Sequence, residues 1–262
     1  MHGRRVGNDF PGAGQFAVLD MDGTLFPGIL GMEFVAGLAA RDLSDPQHIK
    51  EIKLAARRYE DGELDLASAT AIVYERYAAS LKGQAQHQVQ EVAQECWAEV
   101  SGQLFSFSRR LVEDLAELGI PSMLISGSPD EVIQAAARDL RIPYARGAIA
   151  STHAGRYTGE LASAPGVRGG KSAVLAELTC STGVAPKCVL ALGNSINDAE
   201  VFRRSALSVA FEPDGELMAL AEANGWLIAD RTSLPTMLRK VLASLAEYRG
   251  PLESSGTDVH SP

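Results

Sequence analysis

The apolar run Phe16-Ala17-Val18-Leu19 ends in Asp20-Met21-Asp22-Gly23-Thr24, and from about Phe26 to Gln103 the chain then shows helical periodicity alone. A second strand-like run follows only at Ser122-Met123-Leu124-Ile125. Crossovers between neighbouring strands use far fewer residues than this. The stretch is therefore read as an inserted helical module, with breaks near Asp45-Pro46, Asp61-Gly62 and Lys82-Gly83. Further strands are expected at 189–192, 207–210 and 226–228, and helices at about 109–118, 130–140, 171–180, 197–205, 214–224 and 234–247. These strands are largely apolar rather than alternating, as in a parallel sheet covered on both faces. The pattern is α/β: a Rossmann-like, doubly wound parallel sheet with an α-helical insertion. Residues 147–161, with turn signals at Ala154-Gly155 and Thr158-Gly159, read as a small β-hairpin.

Charge narrows the partners. The chain carries 24 basic and 33 acidic residues, a net charge of −9, with no block of Lys and Arg. This argues against nucleic acid as a partner. No run approaches the roughly 18 apolar residues of a membrane span. Cys96, Cys180 and Cys188 are odd in number and form no CxxC pair, which speaks against a disulfide framework or structural zinc and fits a reducing cytoplasm. Arg4-Arg5 would open an export signal, but Asn8, Asp9, Pro11, Gly12, Gly14 and Gln15 break any apolar segment behind them. The ends, 1–14 and 249–262, are expected to be flexible. Monomer and homodimer both stay open.

In open parallel sheets, ligands bind beyond the carboxyl ends of the strands. The first strand delivers Asp20 and Asp22, which project the same way from extended backbone and need a compensating charge. Mg²⁺ suits such hard oxygen ligands. The second strand delivers Ser126-Gly127-Ser128-Pro129, a hydroxyl and a free N–H before a helix N-terminus, suited to phosphate. Gly169-Gly170-Lys171-Ser172 starts another helix with a cation, and Gly193-Asn194-Ser195-Ile196-Asn197-Asp198 adds oxygen ligands after the third. Each piece alone has a bland reading as an N-cap, a turn or a solvated lysine. Their joint order does not.

Other patterns fail. GxxxxGK[ST] ending at Lys171-Ser172 would need glycine where Pro165 stands. Asp61, Glu63 and Asp65 mimic a calcium loop whose twelfth position holds Ile72. His2, His48, His87, His153 and His260 show no ligand spacing.

The four segments, in this order, resemble the haloacid dehalogenase superfamily of phosphohydrolases, over about Gln15 to Glu247. The resemblance is to the phosphoserine phosphatase branch, where a helical cap follows the first motif. Phe211-Glu212-Pro213-Asp214 and Asn224-Gly225-Trp226 resemble the closing part of that branch. The resemblance implies a core at 15–25 and 105–248 and a cap at 26–104. It implies Asp20 as nucleophile, forming an aspartyl-phosphate, and Asp22 as general acid and then base. Ser126 and Gly127 would hold phosphate oxygens, and Lys171 would neutralise charge. Mg²⁺ would be held by Asp20, the Asp22 carbonyl, Asn194 and Asp198. The family normally carries Gly-Asp where this chain has Gly193-Asn194, so a weaker metal site is expected.

The implied function is Mg²⁺-dependent hydrolysis of a small phosphorylated metabolite, an alcohol or sugar-like phosphate. A phosphoserine phosphatase, a phosphotransferase and a metal-poor binding protein stay open as alternatives. Phosphoserine phosphatases carry an acid nine places after the nucleophile, and here that place holds Ile29. Glu33, one turn on, is a replacement if the helix is shifted, and Arg76 is a candidate partner for a substrate carboxylate.

Overall fold

The computed structural model describes residues 14–180 and 187–247, so all but Gly14 of the ends expected to be flexible falls outside the described residues. In chain order the strands are β1 (Gln15–Leu19), β2 (Ser122–Pro129), β3 (Tyr144–His153), β4 (Arg156–Ser163), β5 (Lys187–Gly193), β6 (Leu207–Phe211) and β7 (Leu227–Ala229). They form one sheet in the order β4-β3-β2-β1-β5-β6-β7. All pairings are parallel except β3 with β4. The chain winds outward from β1 to one side through β2 and β3, then to the other through β5, β6 and β7. The switch point lies at the carboxyl ends of β1, β2 and β5, where a doubly wound sheet opens its crevice.

Both faces of the sheet are covered, which explains the unbroken apolar runs. Ala17 and Leu19 of β1 pack into one core, and Phe16 and Val18 into the other. The insertion after β1 holds four α-helices: α1 (Leu30–Ala40), α2 (Pro46–Glu60), α3 (Leu66–Ser80) and α4 (Gln86–Val100). The remaining helices are α5 (Ser108–Glu117), α6 (Asp130–Leu140), α7 (Gly170–Cys180), α8 (Ala199–Phe202), α9 (Gly215–Asn224) and α10 (Leu234–Glu247). The sequence breaks inside the insertion mark its turns. Asp45 caps α2 by accepting from Gln47 N–H at 2.8 Å, with Pro46 at the first helical position. Asp65 caps α3 through Ser68 N–H at 2.7 Å. Gly62 and Gly83 take the left-handed turns, at φ +74° and +81°.

Two expectations need correction. The helix expected over 197–205 is a 3₁₀ turn (Ile196–Asp198) followed by the short α8. Ser205 and Ser208 hydroxyls take the Val201 and Phe202 carbonyls, and Ala206 N–H donates to Cys188 O, so the chain turns into β6 early. The hairpin is longer than 147–161, and it turns at Ala154-Gly155, both at positive φ. Thr158-Gly159 is no turn: it lies within β4, where Gly159 at φ +92° makes room for the Lys82 side chain. The hairpin also clasps the insertion, since Tyr157 N–H donates to Gln84 O and Gly83 N–H to Tyr157 O.

Candidate active site

The loop after β1 is built for close approach. Gly23 sits at φ +73°, and a Cβ there would lie 2.1 Å from Asn194 Nδ2. Glycine thus lets the loop after β1 press against the loop after β5. Asp20 N–H still bonds to Leu192 O at 3.0 Å, which holds its side chain at the strand end.

Asp20, Lys171 and Asp198 form a buried triad. Lys171 Nζ donates to Asp20 Oδ1 and to Asp198 Oδ1, both at 2.6 Å. All three residues are only 4% exposed, so each charge depends on the others. Thr24 Oγ1 donates to Asp20 Oδ2 at 2.9 Å. Asp198 Oδ2 accepts from the Asn194 and Ser195 N–H groups at 3.1 Å. Gly193 makes that turn possible, as a Cβ there would lie 2.3 Å from Asp198 Cγ.

Asp22 is held from the other side. Ser126 Oγ donates to its Oδ2 at 2.7 Å, and Ser128 Oγ lies 2.8 and 2.9 Å from its two oxygens. Leu30 N–H, at the start of α1, donates to Oδ1 at 2.7 Å. The first helix of the insertion is therefore hydrogen-bonded to this carboxylate.

The electrostatics separate the groups. Burial raises the Asp20 carboxyl to about 7, with Lys171 working against the rise and Asp198 and Asp22 adding to it. Burial also raises Asp22, partly offset by Ser126, Leu30 N–H and Ser128. Burial works against the Lys171 ammonium, but the Asp198 and Asp20 carboxylates outweigh it and hold it above the ordinary lysine range.

The structure brings Asp20, Asp22, Gly127, Lys171 and Asn194 onto one cavity of about 480 Å³, which Ile29 also lines. Ser126 is fully buried beneath it with its hydroxyl on Asp22, and Asp198 stands behind Lys171. Glu33 is exposed and is not among the lining residues; after burial it is the chief cause of the raised Cys96 thiol, which places it on the α4 side. Arg76 is also absent from the lining and pairs with Glu51 at 2.8 Å and Glu75 at 3.3 Å.

Sequence reasoning did not assign roles to Thr24, Ser128, Tyr74 or Asp214. Thr24 and Ser128 stood inside the quoted motifs. Asp214 accepts from Ile196 N–H and Leu217 N–H, tying the loop after β5 to the start of α9. Tyr74, on α3, donates to Gly127 O at 2.9 Å and accepts from Gly166 N–H at 2.8 Å. Nothing in the local sequence of α3 signals that contact.

Among the described residues no group of three or more His, Cys, Asp or Glu side chains is arranged to hold a metal ion. Of the donor set that the resemblance implies, Asp198 is already bonded through both oxygens to Lys171 and to the Asn194 and Ser195 N–H groups and does not line the cavity, which leaves the Asp20 carboxylate, the Asp22 carbonyl and the Asn194 amide as hard oxygens there. That chemistry fits Mg²⁺.

The buried Asp–Lys–Asp triad stands at the switch point of a doubly wound sheet, where α/β domains hold their ligands. The chain belongs to the haloacid dehalogenase-like hydrolases, whose family profile matches residues 17–203. It is 26% identical over 215 residues to phosphoserine phosphatase SerB1 of Mycobacterium tuberculosis, covering 82% of this chain and 70% of that protein. It is 28% identical over 238 residues to SerB2 of the same organism, covering 91% of this chain and 52% of that one. Among solved structures, a Bordetella pertussis protein with unknown function superposes with a TM-score of 0.68 at 21% identity, covering 84% of this chain and 99% of that one. A substrate-bound phosphoserine phosphatase complex superposes with a TM-score of 0.62 at 17% identity, covering 87% and 98%. These structural likenesses establish the fold.

Proposed function

We propose that the chain is a Mg²⁺-dependent phosphatase of a small phosphomonoester, working through an aspartyl-phosphate at Asp20. The observation that carries this reading is the pairing of Asp20 with Lys171 at 2.6 Å on the floor of a cavity that Asp22 also lines. Asp20 attacks phosphorus and displaces the alcohol. Asp22, whose carboxyl is raised by burial, gives the leaving oxygen its proton and then takes one from the attacking water. Lys171 balances the negative charge of Asp20 and the phosphoryl oxygens. Gly127 N–H, beside the buried Ser126, is the phosphate seat.

Asp20, the Asp22 carbonyl and Asn194 would hold Mg²⁺, with Asp198 fixing their loop. The ion, when bound, supplies positive charge next to the phosphoryl group. Residues 26–104 act as the cap, closing over a core of 15–25 and 105–248 and excluding water from the first step. The odd cysteine count without a CxxC pair supports action in a reducing cytoplasm.

The test is phosphate release from p-nitrophenyl phosphate by purified protein, with Mg²⁺ and after chelation. Release that needs Mg²⁺ supports the reading. No release under either condition defeats it. The names of the relatives favour a second reading, phosphoserine phosphatase, which a comparison of O-phosphoserine with other esters decides.

A further inference from the structure

We infer that the leaving group is an apolar alcohol, so that the substrate is the monophosphate of an alkyl or isoprenoid alcohol. The inference rests on phosphomonoester hydrolysis at Asp20 and concerns what the same cavity selects. Of the cavity's about 480 Å³, the side formed by the insertion is lined from α1, α2 and α3 without a single Asp, Glu, Lys, Arg or His. Met32, Val35, Ile52, Leu66 and Val73 supply most of its bulk. The size is that of a site for a whole small molecule.

Of the polar groups on this wall, those of Tyr74 and Tyr77 are already committed, and the Tyr59 and Thr70 hydroxyls are uncharged. Tyr74 Oη bridges Gly127 O and Gly166 N–H. Tyr77 Oη donates away from the cavity to Glu131 Oε2 at 2.8 Å. A substrate ammonium or carboxylate against α1–α3 would meet no opposite charge, and an unpaired charge there is costly. Lys171 is the one cation among the described lining residues, and it faces Asp20 and Asp198. Of the acids at the base, Glu212 is held by Arg231 at 2.9 and 3.0 Å, and Asp214 is bound to backbone N–H groups.

The space is not a consequence of packing failure. Ala56 and Ala69 face it where larger side chains would fill it, while the adjoining core keeps Phe26, Phe34 and Leu38 almost fully buried. Ile29 and Tyr59 line the cavity yet are 58% and 41% exposed, so large apolar groups stand at its mouth. A chain threaded past them would reach from the Asp20–Asp22 pair to solvent along apolar surface.

The experiment measures kcat/KM with Mg²⁺ for ethyl, butyl, hexyl and octyl phosphate below their micelle-forming concentrations, beside O-phosphoserine, phosphoethanolamine and p-nitrophenyl phosphate. Burial of one methylene is worth about 0.8 kcal/mol, or roughly fourfold. The series should rise by about two- to fourfold per methylene, with octyl phosphate at least tenfold above O-phosphoserine. Ala69→Phe, which fills the cavity, should flatten the rise; should that variant not fold, Thr70→Leu serves the same comparison. The wild-type series decides without either. A flat or falling series, or O-phosphoserine or phosphoethanolamine ranking first, overturns the inference while leaving the phosphatase reading intact. Failure to hydrolyse any ester, p-nitrophenyl phosphate included, overturns both.

Discussion

Glu131 is the most informative side chain outside the active site, because it joins three parts of the molecule. It lies on α6 and accepts from Tyr77 Oη of α3 at 2.8 Å and from Tyr157 Oη of β4 at 2.6 Å. Both tyrosines are buried, at 2% and 3% exposure. Glu131→Ala leaves two buried hydroxyls without this acceptor. A hydrogen bond to a charged group is worth about 1.5–3 kcal/mol. The gross loss is therefore roughly 3–6 kcal/mol, reduced because an acid held in a buried site is removed with it. A net cost of about 3 kcal/mol is expected, or about 1 M in urea midpoint at a slope near 3 kcal/mol per M. Glu131→Gln keeps one acceptor oxygen and turns the other into an NH₂ that can only donate to a tyrosine oxygen, so it should cost less than Glu131→Ala at neutral pH.

The two variants also differ in pH dependence. Burial raises the Glu131 carboxyl, and the Tyr157 and Tyr77 hydroxyls only partly offset this. The folded state therefore binds the proton more readily than the unfolded one. This contribution to stability is full in acid below the ordinary glutamate range, and it is lost as pH rises through the raised folded value. Glu131→Gln should flatten that fall. Urea unfolding across pH reads both effects. A Glu131→Ala cost below about 1 kcal/mol, or a Gln variant as unstable as the Ala variant at neutral pH, would mean that Glu131 does not tie α3 and β4 to α6.

Further outcomes concern the site itself. Tyr74→Phe frees Gly127 O and Gly166 N–H together, and should cost about 1–3 kcal/mol in unfolding experiments and lower kcat/KM. Gly23→Ala puts a Cβ against Asn194 at a left-handed backbone position, and should lower both Tm and turnover, whereas Gly102→Ala, with open space around it, should change neither. Asn194→Asp adds a carboxylate to the oxygen set and should tighten Mg²⁺ binding in a metal titration; unchanged or weaker affinity would mean that the side chain does not reach the ion.

The sheet was legible in the sequence because β1, β2, β5 and β6 are short apolar runs buried on both faces, and β7 is a half-buried apolar run at its edge. The insertion was legible because its helices carry their own stop signals, Asp45-Pro46, Asp61-Gly62 and Lys82-Gly83. The motif residues converge because each stands at the end of a strand or the start of a helix. What escaped was set by distant partners. Tyr74 meets Gly127, 53 residues away, and Gly159 read as a turn because its contact with Lys82 lies in another segment. The 3₁₀ turn at Ile196–Asp198 replaces a helical start because the Asp198 carboxylate is committed to Lys171 and to the Asn194 and Ser195 N–H groups. Glu33 looked available at one turn from Ile29, but the rotation of α1 turns Met32 and Val35, not Glu33, to the cavity.

The central claim is that Asp20 takes the phosphoryl group. It is tested most directly by brief reaction of the wild-type protein with a radiolabelled phosphate ester and Mg²⁺, acid quenching and peptide mapping. A hydroxylamine-sensitive label is expected on the peptide containing Asp20. No label is expected in Asp20→Asn, with turnover below about one hundredth of the parent, a barrier rise of at least ~2.7 kcal/mol. Label on another residue, or an Asp20→Asn variant that keeps more than that fraction of the rate, would contradict it.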